Sequence, residues 1–127
     1  DNSKFINKNY NKPQSESDTF IIFDFGQSKK IDLHSYFIRS AGYHPKTWRI
    51  EGSNDASQWK RLDRKANDQS LLNNSNHQSH FQCNEAKNKN DCRYRFIRYV
   101  QEDSWESGDP YRVFLYYFEL YGEIYNN

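Results

Sequence analysis

Four histidines, two cysteines and 17 acidic side chains are the groups in this chain that could carry out chemistry. Their spacing decides which chemistry is open to them. His34, His44, His77 and His80 show neither the His-x-x-x-His nor the His-Glu-x-x-His spacing that sets two imidazoles on one helix face around a metal ion. His77 and His80 lie in Asn- and Ser-rich sequence, with no acidic neighbour to orient an imidazole as a general base. The 5 glycines are scattered, so no glycine-rich loop cradles a phosphate. No Gly-x-Ser-x-Gly turn presents a nucleophilic serine. Cys83 and Cys92 flank the polar stretch Asn84 to Asp91, which reads as a hairpin loop. They stand there either as reduced thiols on neighbouring strands or as a bridge, and two thiolates alone leave a tetrahedral zinc site incomplete. The turn Glu51-Gly52-Ser53-Asn54-Asp55 has oxygens of the calcium-binding type, but too few for an ion that takes six or more. The expectation is a protein that is not an enzyme and holds no cofactor and no metal, calcium being the one weak candidate.

The chain must therefore work by recognition, and the elements that would present its binding groups come next. Its 127 residues suffice for one domain. A formal net charge of +1 lacks the basic excess of a nucleic-acid binder. Mean hydropathy is low, at −1.19. Yet 17% of residues are aromatic, with 10 Tyr, 9 Phe and 3 Trp, which points to an aromatic core beneath polar loops. No apolar run of about 18 residues predicts a membrane-crossing helix. No signal-peptide pattern opens the chain and no methionine occurs, as expected of an excised domain or processed fragment.

Residues 1–19 read as a polar, extended lead-in pinned by Phe5 and Tyr10. Phe20 to Phe25 reads as a buried strand closed by Gly26. Lys30 to Arg39 forms a second strand with Ile31, Leu33, Tyr36 and Ile38 facing inward. Its change of parity between Leu33 and Tyr36 predicts a β-bulge near His34-Ser35. Ser40 to Lys46 is a loop, marked by Gly42 and Pro45. A hairpin follows, Trp48 to Asp63, in which Trp48 and Ile50 share one face and Glu51 takes the other. Trp59 and Leu62 return to apolar surface, and both tryptophans are expected in the core. Arg64 to Gln78 is the least structured stretch, anchored by Leu71-Leu72, and Asn73-Asn74-Ser75 matches the N-glycosylation triplet. His80 to Cys83 and Cys92 to Val100 read as paired strands. Gln101 to Pro110 is a polar loop around Trp105, and Tyr111 to Tyr121 an aromatic strand ended by Gly122. No amphipathic helical window stands out. Short strands separated by turns read as an all-β fold, an antiparallel β-sandwich of jelly-roll type.

In this order the pieces resemble the discoidin family, the coagulation factor 5/8 C-terminal type of domain within the galactose-binding-like folds. The residues that carry the resemblance are Phe23-Asp24-Phe25, the strand Ile31 to Ser40, the Trp48 to Asp63 hairpin, Tyr94-Arg95-Phe96-Ile97-Arg98, and Phe118-Glu119-Leu120-Tyr121-Gly122. The resemblance spans residues 20–124 and implies a domain there, between the lead-in 1–19 and a tail 125–127. The Trp48 hairpin is most similar to an intracellular and protist branch. The terminal cysteines of the secreted branch are missing, and the short lead leaves little of the membrane-inserting loops.

In the resembled family, ligands meet loops at one end of the sandwich. That implies a ligand site from Tyr43, His44 and Lys46 in one loop and Glu102, Asp103, Trp105 and Asp109 in another. Arg95, Arg98 and Arg112 are expected to be ion-pair partners. The reading is a non-catalytic recognition module of a larger, multidomain protein. Protein–protein interaction ranks first, on the missing membrane loops and the cysteine pattern. Binding of galactose-type glycans is the alternative, and anionic phospholipid binding ranks third, for want of a basic excess or an apolar loop tip. The expected compartment is the cytoplasm, with an extracellular site as the alternative.

Overall fold

The structure, a computed structural model, describes residues 5–6, 19–85, 93–106, 113 and 115–126, with 5–6 and Thr19 described by backbone alone. In chain order these form β1 (Phe5–Ile6), β2 (Thr19–Asp24), β3 (Lys29–Ser40), β4 (Pro45–Ser53), β5 (Lys60–Lys65), the single turn α1 (Ser70–Asn73), β6 (Gln78–Gln82), β7 (Arg93–Tyr94), β8 (Phe96–Ser104) and β9 (Leu115–Asn126). Every pairing is antiparallel. One sheet has the order β1-β2-β8-β4-β5. The other is built on β3, with β9 along the whole of one side and β6 and β7 in series along the other. This is the all-β sandwich expected from the strand pattern.

Side-chain alternation puts aromatic and branched residues of both sheets into one core. Trp48, Ile50, Tyr36, Ile38, Ile97, Tyr99 and Leu71 are fully buried. Phe118 of β9 stacks on Tyr36 (5.8 Å between centroids) and meets Tyr99 edge-on (5.5 Å), while Trp48 meets Phe81 edge-on (5.1 Å). Three polar groups that come inside, from Trp48, Tyr36 and Asp63, are joined in a chain of bonds. The Trp48 indole N–H donates to the Tyr36 hydroxyl at 2.9 Å, and that hydroxyl donates to Asp63 Oδ2 at 2.7 Å. The other Asp63 oxygen accepts from Lys65 Nζ (3.2 Å) and Asn84 N–H (3.1 Å). Burial, and then the Asp63 charge, hold the Tyr36 phenol far above its ordinary titration range.

The bulge is where parity placed it. Leu33 faces Gly122 and Ser35 faces Tyr121, which leaves His34 as the extra residue. The strands come so close there that a Cβ on Gly122 would lie 2.1 Å from the Asp32 carbonyl oxygen.

Other expectations are corrected. Trp59 is only half-buried and not a core residue. It precedes β5, where strand alternation does not govern it, and it sits under the Arg98 guanidinium (4.0 Å) and edge-on to Phe96. His80 to Cys83 does not pair with the strand that follows it: β6 and β7 both pair with β3, while β8 crosses to the first sheet. The segment 101–104 is strand rather than loop, because β8 continues to Ser104 against β4. β9 runs past Gly122 to Asn126, so residues 125 and 126 are strand, paired with Lys30 and Lys29. Cys92, Tyr10 and Arg112 lie outside the described residues, so the thiol pairing, the second lead-in anchor and one of the three arginines are not part of this description. No helix among the described residues is long and apolar enough to cross a membrane.

Candidate functional site

Strand register gathers the loops. Pro45 at the start of β4 faces Ser104 at the end of β8, Ser40 faces Leu115, Arg39 faces Gln78, and Trp48 faces Lys65. Residues 41–44, 66–77 and 105–106 therefore meet at one end of the sandwich, and the hairpin tip 54–59 and Asn126 lie at the other.

At the loop end Glu106 clamps His44. One carboxylate oxygen accepts the His44 backbone N–H and the other the ring Nδ1–H, both at 2.6 Å. A carboxylate only accepts, which assigns the ring proton to Nδ1. The second ring nitrogen, Nε2, is buried and has no partner among the described residues. Burial pushes the Glu106 carboxyl up, but the bonds from His44 outweigh it and the group titrates below its ordinary value. The His77 ring stands edge-on to His44 at 4.5 Å and donates from Nδ1 to the Leu71 carbonyl at 3.0 Å.

Trp105 is held beside them. Its backbone N–H donates to the His44 carbonyl (2.9 Å) and its indole N–H to the Asp68 carbonyl (2.8 Å). With its N–H fixed, the half-buried ring is a rigid platform. The Lys46 ammonium lies 4.6 Å from its centroid and 3.7 Å from Asp103 Oδ2. The segment after β5 is tied in by Asp68 N–H to the Lys46 carbonyl (2.9 Å). The arrangement offers a fixed aromatic ring with a cationic donor over one face and an anionic acceptor beside that donor, a chemistry suited to a hydroxyl-rich ligand with an apolar face.

Of the residues expected at this site, His44, Lys46, Asp103 and Trp105 come together here, and Tyr43 precedes His44 in the same loop. Glu102 does not. Its side chain projects from the outer face of the first sheet, between Arg49 (2.9 Å) and Arg64 (2.8 Å), in a row continued by Arg49–Glu51 (2.8 Å) and Glu51–Arg98 (2.7 Å). The cause is the extension of β8 against β4, with a register irregularity that leaves Glu102 as the extra residue between Gln101, which faces Trp48, and Asp103, which faces Thr47. Asp109 lies outside the described residues. Sequence reasoning missed Glu106, Asp68 and the pairing of His77 with His44. Only the position of Glu106 beside Trp105 signalled any of them. Arg95 and Arg98 are ion-pair partners as expected, Arg95 gripping Asp24 through two bonds (2.8 and 3.0 Å).

The opposite end holds an open cleft of about 370 Å³ beside the hairpin tip, between Asn54, Trp59 and Tyr94. The acidic residues of that turn serve structure. Glu51 pairs with two arginines, and Asp55 Oδ1 accepts the N–H groups of Ser57 and Gln58 (both 2.9 Å).

No protein-family model and no curated protein matches the sequence. Solved structures do. CpGH89CBM32-6 from Clostridium perfringens has a TM-score of 0.56 at 20% identity, over 87% of this chain and 74% of that one. The C-terminal domain of a chitobiase from Bacteroides fragilis has a TM-score of 0.61 at 14% identity, over 88% and 68%. CBM32-3 from a family 31 glycoside hydrolase of Clostridium perfringens has a TM-score of 0.60 at 15% identity, over 88% and 71%. The fold is the galactose-binding-like β-sandwich. Discoidin domains share it with the CBM32 carbohydrate-binding modules.

Proposed function

We propose that this chain is a non-catalytic carbohydrate-recognition module whose glycan site is the loop end built from Tyr43, His44, Lys46, Asp103 and Trp105. The observation that carries the reading is the Trp105 ring, fixed by its indole hydrogen bond and flanked by Lys46 and Asp103. A sugar ring packs its C–H face on an indole while its hydroxyls bond to charged neighbours. The fold neighbours support the same reading by analogy of architecture. They reverse the order read from the sequence, where a protein partner came first: nothing among them supports a protein partner. The discoidin-type resemblance over residues 20–124 also supports a ligand site at loops on one end. A galactose-type glycan is the first class to test, in a module carried by a multidomain protein.

The test is a glycan array followed by titration of the best hit against the wild-type chain and Trp105→Ala. Selective binding that weakens at least tenfold in the variant, about 1.4 kcal/mol, supports the proposal. A blank array, or a hit indifferent to Trp105→Ala, sinks it.

A further inference from the structure

We infer that Asp32, His34 and Glu123, on the second sheet away from the loop end, form a binding site for a zinc-type divalent metal ion. Asp32 of β3 and Glu123 of β9 are direct partners in the strand register. Like charges set opposite each other repel unless something positive lies between them. The Asp32 side chain is only 10% exposed, yet among the described residues none donates a hydrogen bond to its carboxylate. The nearest basic nitrogen is His34 Nε2 at 3.6 Å, beyond hydrogen-bond reach. Arg93 faces Asp32 from β7, but its guanidinium lies over the Tyr125 ring, 3.7 Å from the centroid. A largely buried carboxylate set opposite a second one is favoured by a cation beside it.

The three ligand atoms lie within 4.8 Å of one another. Bonds of about 2.0–2.2 Å in a tetrahedral shell set neighbouring ligand atoms about 3.4 Å apart. Asp32 and His34 already stand near that spacing. His34 and Glu123 are exposed and free to swing the remaining distance. The Tyr125 hydroxyl donates to Glu123 Oε1 at 2.7 Å, which orients the carboxylate in the manner of an outer-shell partner. The bulge at His34 and the side-chain-free Gly122 opposite it hold β9 close against β3 at this point. One imidazole with two carboxylates suits zinc or cobalt, and is far short of the oxygen shell that calcium takes. A bound ion here would cross-link β9 to β3 at the end of the sandwich remote from the glycan site.

The experiment titrates the whole chain with Zn(II) by calorimetry, and with Co(II) by visible absorption, in a non-chelating buffer, with calcium as the contrast. The expected result is one Zn(II) per chain, a Co(II) ligand-field band that Zn(II) removes, and a rise in Tm with Zn(II). His34→Ala and Glu123→Gln, both at exposed positions, should each weaken binding at least about tenfold and cancel the rise in Tm while circular dichroism stays that of the wild type. The inference is overturned if Zn(II) gives no saturable binding, if binding is unchanged in both variants so that other histidines or the thiols hold the ion, or if calcium binds in place of Zn(II).

Discussion

Single side chains in this protein have their roles assigned by what they meet across the core. Tyr36 lies on a core-facing parity and would serve as packing alone, were its hydroxyl not the link between Trp48 and Asp63. Tyr36→Phe keeps the ring and removes the link, leaving the indole N–H unpaired and Asp63 short of a donor. Urea unfolding should show a loss of about 1–3 kcal/mol. A variant as stable as wild type would mean that the network is incidental. At the loop end, Glu106→Ala removes both acceptors of His44, and its backbone N–H and ring lose their orientation. The expected result is weaker glycan binding with little change in global stability, since Glu106 is at the loop end and outside the core. Titration beside a thermal melt separates the two effects. His44 was visible in the sequence as a loop histidine. Its partner was not, because Glu106 lies 62 positions away and only the register of β4 with β8 unites them.

At the scale of elements, β9 depends on one residue without a side chain. Gly122 lets β9 follow β3 past the bulge, and a Cβ there would strike the Asp32 carbonyl at 2.1 Å, a backbone atom that cannot swing aside. Gly122→Ala should lower stability by several kcal/mol, on the order of a severe steric defect. Hydrogen exchange should show lost protection concentrated in β9 and its partner β3. Uniform loss, or none, would mean that β9 is not held by this contact. The same element shows how far alternation can be read. The parity change between Leu33 and Tyr36 marked the bulge correctly, since two core residues an odd number apart require an extra residue between them. Trp59 shows where alternation stops being readable: it precedes β5, a register shift at Leu62 breaks the parity between them, and Trp59 lies under Arg98 outside the core. The end of β8 was misread because Glu102, Asp103 and Ser104 are a polar run. Pairing with β4 keeps them in strand, and that pairing is a long-range fact.

Over the whole molecule, carboxylates held below their ordinary titration range tie stability to pH. Asp24 is lowered chiefly by its hydrogen bonds with Arg95, Glu102 by Arg64 and then Arg49 against burial, and Glu106 by His44 against burial. A group whose folded pKa is depressed contributes stability that is complete above the unfolded value. That contribution is lost as pH falls through the folded one. Unfolded carboxyls titrate near 4. Tm should therefore be level with respect to these groups at neutral pH and fall steadily once the pH drops below about 4. Asp24→Asn should flatten part of that decline, and a melt series across this range checks it. By itself the sequence determined most of the strands and of their inward faces, the bulge and the antiparallel sandwich, because period-two alternation and turn chemistry are local and each residue carries its own vote. Only the tertiary structure decided that β6 and β7 both join β3, that Glu106 clamps His44, that Glu102 belongs to the arginine row, and that Asp32, His34 and Glu123 converge. Each of these joins residues far apart in the chain, and such distances close only when the sheets pair and pack.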